Sequence, residues 1–84
     1  MGRDKVQVTL YTRRGCHLCE EARREMLAAG IPERFTLVET DVDSDPALAA
    51  RYGYDIPVIL VNGRLTFKHR LTAAQFVRAV NSES

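Results

Sequence analysis

The sequence predicts an α/β protein in which a mixed four-stranded sheet is flanked by three helices, in the order β-α-β-α-β-β-α. Two observations predict this class. Stretches with the period of two that is typical of strands alternate along the chain with stretches that have helical periodicity. Late in the chain, Asn62-Gly63 separates two strand-like segments and is its strongest short hairpin signal. Because the earlier strands are joined by crossovers, we expect helices on both faces of the sheet.

The first half of the chain contains two strands and the longest helix. Over residues 6–11, apolar and polar side chains alternate, which predicts a strand with one buried face. From Cys16 the apolar residues recur at helical spacing, and Gly30 stands where a helix commonly ends. A short strand then begins at Phe35 and closes within residues 41–43.

The second half contains a short helix, a hairpin and a last helix. Asp45-Pro46 is a typical helix start, and Gly53 ends the helix over residues 47–52. Residues 57–61 are continuously apolar, as in a strand that is buried on both faces. After the hairpin and its returning strand over residues 64–68, Thr72 and Gln75 form a capping box for the last helix. We expect the tail over residues 81–84 to be frayed.

Length and composition exclude several classes of protein. The chain has 84 residues, 45% of them hydrophobic, and 12 basic side chains against 11 acidic ones. One domain over residues 1–84 is therefore expected, and disorder is not. A net charge of +1 gives no reason to expect nucleic acid or a membrane surface as a partner. The start of the chain has no apolar signal region, so we expect a cytoplasmic location. We also expect a monomer.

The main chemical feature is the motif Cys16-His17-Leu18-Cys19, which falls where the first strand has ended and the first helix begins. Cys16 is expected at the helix start, exposed to solvent and close to free backbone N–H groups and the positive end of the helix dipole. Cys19 begins the buried stripe of the helix. An exposed thiolate that attacks a disulfide and a recessed thiol that resolves the product make up the chemistry of thiol–disulfide exchange.

Two other interpretations of the cysteine pair stay open. The cysteines could be inert residues of the core, as free cysteines often are. They could also be half of a zinc site, although a closed zinc site needs four ligands and the chain has no second pair of cysteines. The strand–turn–helix context favours redox chemistry, and we expect no metal.

The chain resembles the glutaredoxin branch of the thioredoxin superfamily along nearly its whole length. Residues 11–19 are similar to the family's strand end, basic residue and Cys-x-x-Cys, and Asp55-Ile56-Pro57 is similar to its Thr-Val-Pro segment. Val61-Asn62-Gly63 matches the hairpin that follows. The resemblance implies a thioredoxin fold.

The same resemblance implies roles for individual residues. Cys16 would be the catalytic nucleophile and Cys19 the resolving thiol. Pro57 would follow a cis peptide bond and face the cysteine pair, and the backbone of Ile56 would bind an extended substrate. Arg13 matches the basic residue that contacts a carboxylate of glutathione; a solvated loop arginine is the alternative.

Two departures from the family pattern argue against glutathione as the reductant. The motif has His17-Leu18 where typical members carry Pro-Tyr, so the tyrosine that lines the glutathione groove is missing. After the hairpin, Phe67-Lys68 and Arg70 stand where the family has Gly-Gly and Asp, so side chains occupy a place of close backbone approach and a cation replaces an anion. The sequence itself does not identify the reductant.

The stretch after the hairpin also suggests a basic rim, made of Arg13, Arg14, Lys68 and Arg70, around the cysteine pair. Such a local field would suit an acidic partner protein. A strand edge that is protected by charge is the alternative.

Together these features predict a dithiol–disulfide oxidoreductase that reduces protein disulfides in cell redox homeostasis and has no tightly bound cofactor. Its partners would be a disulfide-containing protein and, as electron donor, a reductase or a low-molecular-weight thiol. The alternatives are an electron donor fed by thioredoxin reductase, a non-catalytic module that binds a partner or metal through the cysteines, and an iron–sulfur carrier.

Overall fold

The structure, a computed structural model that describes residues 5–83, has the predicted order of elements. The strands and helices are β1 (Val6–Thr12), α1 (His17–Ala28), β2 (Phe35–Asp41), α2 (Pro46–Tyr52), β3 (Val58–Val61), β4 (Arg64–Lys68) and α3 (Ala73–Asn81). Two short 3-10 turns, Pro32–Arg34 and Val42–Ser44, flank β2. The expectation about the start of the chain falls mostly on residues 1–4, which lie outside the described part.

The four strands form one sheet in the order β2-β1-β3-β4. β1 is parallel to β2 and antiparallel to β3, and β3 is antiparallel to β4, which confirms a mixed sheet. Tyr11 pairs with Val58 at the last step of the β1–β3 register. The residues that follow β1 and those that precede β3 therefore meet at one edge of the sheet, where the motif and Pro57 both lie.

Apolar side chains are buried on both faces of the sheet, as predicted. On one face β1 and β3 pack against α1 and α3, with Leu10, Met26, Ile59 and Phe76 completely buried. On the other face a smaller cluster surrounds Val42, Tyr52 and Val58 and includes residues of α2. The rings of Phe35 and Phe76 meet edge to face at 4.9 Å between centroids. Each face is thus closed by helices, and the edge that carries the cysteines is left open.

The turns and ends of the elements agree with their sequence signals, except at the carboxyl end. Asn62 and Gly63 both have positive φ, 49° and 83°, as a two-residue hairpin turn of this type requires. The tail prediction is wrong for residues 81–83. Asn81 belongs to α3, and the Glu83 carboxylate accepts a hydrogen bond from Asn62 Nδ2 at 3.0 Å and pairs with Arg64. These contacts hold the end of α3 against the hairpin, whereas Ser84 lies outside the described residues.

None of the helices in residues 5–83 has the length and apolar character that crossing a membrane requires.

Candidate redox site

Cys16 is the N-cap residue of α1. Its backbone is extended, with φ −85° and ψ 105°, and its Sγ accepts a hydrogen bond from the Cys19 N–H at 3.1 Å. Its own N–H donates to the carbonyl of Arg13 at 3.2 Å, which closes the turn between β1 and α1. The sulfur thus takes the place of the side-chain oxygen that usually satisfies a free N–H in the first turn of a helix.

The two cysteines form a disulfide, and they differ in exposure as predicted, although Cys16 is half-buried rather than fully exposed to solvent. Their Cα atoms are 5.2 Å apart, within the ordinary range for a disulfide. Cys19 is 1% exposed and lies on the face of α1 that also buries Ala22 and Met26, whereas Cys16 is half-buried. Cys16 also lines an open cleft of about 310 Å³ between the turn, Glu20 and Arg23. An incoming group can therefore reach Cys16 and not Cys19.

Within residues 5–83, no three His, Cys, Asp or Glu side chains are placed together as a metal site would need. His17 follows Cys16 and is exposed.

The segment before β3 reaches the same edge of the sheet as the motif. The Ile56–Pro57 peptide bond is cis, as the resemblance implies, and Pro57 is completely buried. The Pro57 carbonyl accepts a hydrogen bond from the His69 N–H at 2.7 Å. Among the described residues the backbone N–H and carbonyl of Ile56 have no hydrogen-bond partner, so they are free to bind an extended chain.

Arg13 is engaged within the protein. Its Nε and Nη2 donate to the two carboxylate oxygens of Asp43 at 2.8 and 3.0 Å, and its Nη1 donates to the carbonyl of Gly53 at 3.3 Å. The hydrogen bonds from this guanidinium lower the pKa of Asp43, and the same bonds raise the pKa of Arg13. The predicted contact of Arg13 with a substrate stays a prediction, and in the oxidised structure the side chain joins the turn before Cys16 to α2.

The basic rim is largely compensated by acidic partners. Lys68 Nζ lies 3.5 Å from a carboxylate oxygen of Asp55, and Arg70 Nη1 lies 3.8 Å from one of Glu21. With Arg13 paired as well, Arg14 is the only rim cation without an ion pair among residues 5–83. The local positive field that the sequence suggests is therefore weak. The sequence did not reveal this pairing because the neutralising carboxylates are far from the rim cations along the chain.

A cleft of about 600 Å³ separates α1 from the segment between β4 and α3, and its lining includes Leu18, Glu21 and His69. At its inner end a Glu25 carboxylate oxygen accepts the Ala73 N–H at 2.8 Å, and so joins α1 to the start of α3. The sequence analysis did not identify this role of Glu25. Glu25 and Ala73 are 48 residues apart, and a glutamate in the middle of a helix carries no local signal for such a contact.

His69 has an unusual backbone conformation. Its φ is 69°, and the Arg70 N–H donates to the Lys68 carbonyl at 2.7 Å, so the three residues form a γ-turn with positive φ. A γ-turn with positive φ is rare and strained, and residues with such backbone strain are found most often at functional sites. The sequence held no glycine at this position that could have indicated it.

Two of the comparisons with known proteins indicate a glutaredoxin-like family. The sequence profile described as Glutaredoxin-like domain (DUF836) matches residues 7–81. A glutaredoxin-like protein of Dictyostelium discoideum is 30% identical over 73 residues, covering 79% of this chain and 67% of its own. An uncharacterised protein of Mycobacterium tuberculosis is 33% identical over 65 residues, and the match covers 71% of this chain and 67% of that protein.

Solved structures support the fold. A structural-genomics target protein from X. campestris superposes with a TM-score of 0.74 at 29% identity, covering 92% of this chain and 97% of its own. Chloroplastic thioredoxin z superposes with a TM-score of 0.75 at 23% identity, and the superposition covers 95% of this chain and 79% of the thioredoxin. The architecture is therefore a thioredoxin fold.

Proposed function

Because this chain belongs to the glutaredoxin-like domain family (DUF836) of the thioredoxin superfamily, we propose that it is a dithiol–disulfide oxidoreductase that reduces protein disulfides through Cys16-His17-Leu18-Cys19. The observation that carries the proposal is the disulfide between an accessible sulfur at a helix N-cap and a buried sulfur one turn later. Thioredoxin-fold proteins with such a pair commonly exchange disulfides.

The reaction begins from the reduced dithiol. The Cys16 thiolate attacks one sulfur of the substrate disulfide, so that a mixed disulfide forms and the other substrate sulfur leaves as a thiolate that takes up a proton. Cys19 then loses its proton and attacks Cys16 Sγ, which forms the Cys16–Cys19 disulfide and releases the second substrate thiolate, which is protonated in turn. Two electrons have passed from the cysteine pair to the substrate, and the product is the state in the structure.

The protein stabilises the thiolate of Cys16 by backbone groups. The Cys19 N–H, which points at the sulfur at 3.1 Å, offers a hydrogen bond to the negative charge. Helix α1 is 12 residues long, and the positive end of its dipole lies at this sulfur. Both effects favour the ionised thiol, which is the form that attacks disulfides.

Among residues 5–83, no buried carboxylate is available to take up the proton of Cys19. No charged or polar side chain is buried among the described residues, and Glu20 and Glu21 are exposed. We therefore propose that the proton of Cys19 passes to the departing substrate thiolate or to water at the mixed disulfide.

The substrate lies along the edge formed by Ile56 and Pro57. The free N–H and carbonyl of Ile56 would pair with an extended peptide as a neighbouring strand does, which holds the substrate disulfide over Cys16. We propose that the electron donor is a protein reductase, including one of the thioredoxin reductase type, or a low-molecular-weight thiol other than glutathione. The Arg13–Asp43 ion pair supports this choice, since the guanidinium that would contact a glutathione carboxylate already has a carboxylate partner. We further propose that the protein acts as a monomer in the cytoplasm and has no tightly bound cofactor.

The experiment that tests this function is capture of a mixed disulfide. Cys19→Ala, incubated in reduced form with insulin as a protein disulfide, should accumulate a covalent adduct at Cys16 that dithiothreitol releases. Cys16→Ala is the matched control and should form none, because its remaining thiol is buried. If Cys19→Ala forms no adduct, the pair serves as a non-catalytic binding group and the proposal is wrong.

A further inference from the structure

Tyr54 is the most exposed of the large apolar side chains in the described part of the chain. It is 95% exposed, against 62% for Leu27, 50% for Val38 and 47% for Leu65. The two other tyrosines, Tyr11 and Tyr52, stack on each other at 4.6 Å between ring centroids and belong to the cluster under α2. The fold thus buries Tyr52, partly buries Tyr11 and leaves Tyr54 almost fully exposed.

Tyr54 lies in the segment between α2 and Pro57, and hydrogen bonds connect its chain neighbour to the turn before Cys16. The carbonyl of its N-terminal neighbour Gly53 accepts a hydrogen bond from Arg13 Nη1 at 3.3 Å. The carbonyl of Arg13 in turn accepts a hydrogen bond from the Cys16 N–H. On its other side the Asp55 N–H donates to the Tyr52 carbonyl at 2.8 Å, and Ile56 follows with its free backbone groups. Tyr54 therefore stands on a tight, hydrogen-bonded turn at the rim of the edge where a substrate would lie.

The charges around this edge do not offer a strong electrostatic contact. Lys68 is paired with Asp55, and Arg13 with Asp43. Exposed ion pairs of this kind leave little net field for a partner to recognise. An aromatic ring with a polar tip is, by contrast, among the side chains that contribute most to protein interfaces, because it supplies a large contact area at a small cost in conformational entropy.

From these observations we propose that Tyr54, together with Ile56, forms the contact by which the protein selects protein disulfides over small ones. The ring of Tyr54 packs against apolar side chains of an extended polypeptide that pairs with Ile56 and carries its disulfide to Cys16. A small disulfide has no polypeptide chain to pair with Ile56, so it gains neither contact. This inference rests on the proposed function and identifies the docking residue for its substrate class.

The test compares two substrates for each variant. The reduced protein is mixed with insulin or with bis(2-hydroxyethyl) disulfide, and formation of the Cys16–Cys19 disulfide is followed by stopped flow. Tyr54→Ala should lower the ratio of the insulin rate to the small-disulfide rate about tenfold. Tyr54→Phe, which keeps the ring, should hold the ratio within about twofold of the wild type. Leu27→Ala, which removes an exposed apolar side chain from the far end of α1, is the matched control and should change neither rate.

The outcomes separate this inference from the proposed function. If the wild type oxidises with both substrates and Tyr54→Ala keeps the wild-type ratio, Tyr54 does not dock the substrate and the inference is wrong, while the proposed function stands. An equal fall of both rates would also overturn it, since the change would then act on Cys16 itself. If the wild type reacts with neither disulfide, the proposed function fails and the inference fails with it.

Discussion

Arg13 and Asp43, which are 30 residues apart in the sequence, form a two-point ion pair with N–O distances of 2.8 and 3.0 Å. Arg13 belongs to the turn that leads into Cys16, and Asp43 belongs to the 3-10 turn that follows β2. The planar guanidinium fixes the direction of the contact as well as the distance. The turn that leads into Cys16 is therefore held by a side chain outside the motif, which follows the neighbouring parallel strand β2.

This ion pair predicts a loss of stability in acid. Because Arg13 holds the pKa of Asp43 below its ordinary value of 3.8, the contribution of the pair is fully present above that value. It is lost as the pH falls through the lowered pKa of the folded state. Urea unfolding of the wild type and of Asp43→Asn between about pH 2 and 7 measures this. The difference in unfolding free energy should be constant near neutral pH and shrink at the acid end; a constant difference throughout would contradict the assignment.

Gly53 is expected to tolerate no side chain. A Cβ at this position would lie 2.4 Å from the carbonyl oxygen of Ala49 and 3.1 Å from Arg13 Nη2. Gly53→Ala must therefore shift the last turn of α2 and should lower the free energy of unfolding by about 1–3 kcal/mol, as overpacking does. Thermal unfolding of Gly53→Ala, Arg13→Ala and the double variant checks the cause. Effects of the single variants that add fully would show that Arg13 takes no part in the clash.

The reactivity of the two cysteines should differ in the reduced protein. Iodoacetamide should modify Cys16 quickly, with a midpoint in pH below the ordinary thiol pKa of about 8.5, because the N-cap position favours its thiolate. Cys19 should stay protected, since it is 1% exposed. Peptide mass spectrometry after timed alkylation between pH 4 and 10 gives both rates. Equal rates, or an ordinary midpoint for Cys16, would mean that the activated nucleophile is missing.

His69 is expected to limit stability through its backbone. Its positive φ costs an L-residue roughly 1–2 kcal/mol, and glycine does not have this cost. His69→Gly should therefore keep or raise the unfolding free energy, whereas His69→Val, which is β-branched, should lower it by about 1–2 kcal/mol. Chemical unfolding of the two variants provides the comparison. A glycine variant less stable than the valine variant would show that the histidine side chain holds this turn.

The sequence by itself determined the elements, their order and the unequal burial of the cysteine pair. The alternation over residues 6–11 and the helical spacing from Cys16 to Gly30 are local signals, because each depends on which face of one strand or helix is buried. The difference in burial between Cys16 and Cys19 followed from the same spacing, since one residue caps the helix and the other begins its buried stripe. The Asn62-Gly63 turn was equally local, because the two residues adopt its backbone angles at small cost.

Only the tertiary structure decided how the charges around the cysteines are paired. Arg13 with Asp43, Lys68 with Asp55 and Arg70 with Glu21 each join residues from different elements, so no periodicity or spacing could reveal them. The basic rim suggested by the sequence is weak for this reason. The backbone of His69 likewise depends on its hydrogen bond to the Pro57 carbonyl, which the folded sheet brings close. Propensity acts along the chain, whereas charge pairing and exposure depend on distances that exist only after the sheet has formed.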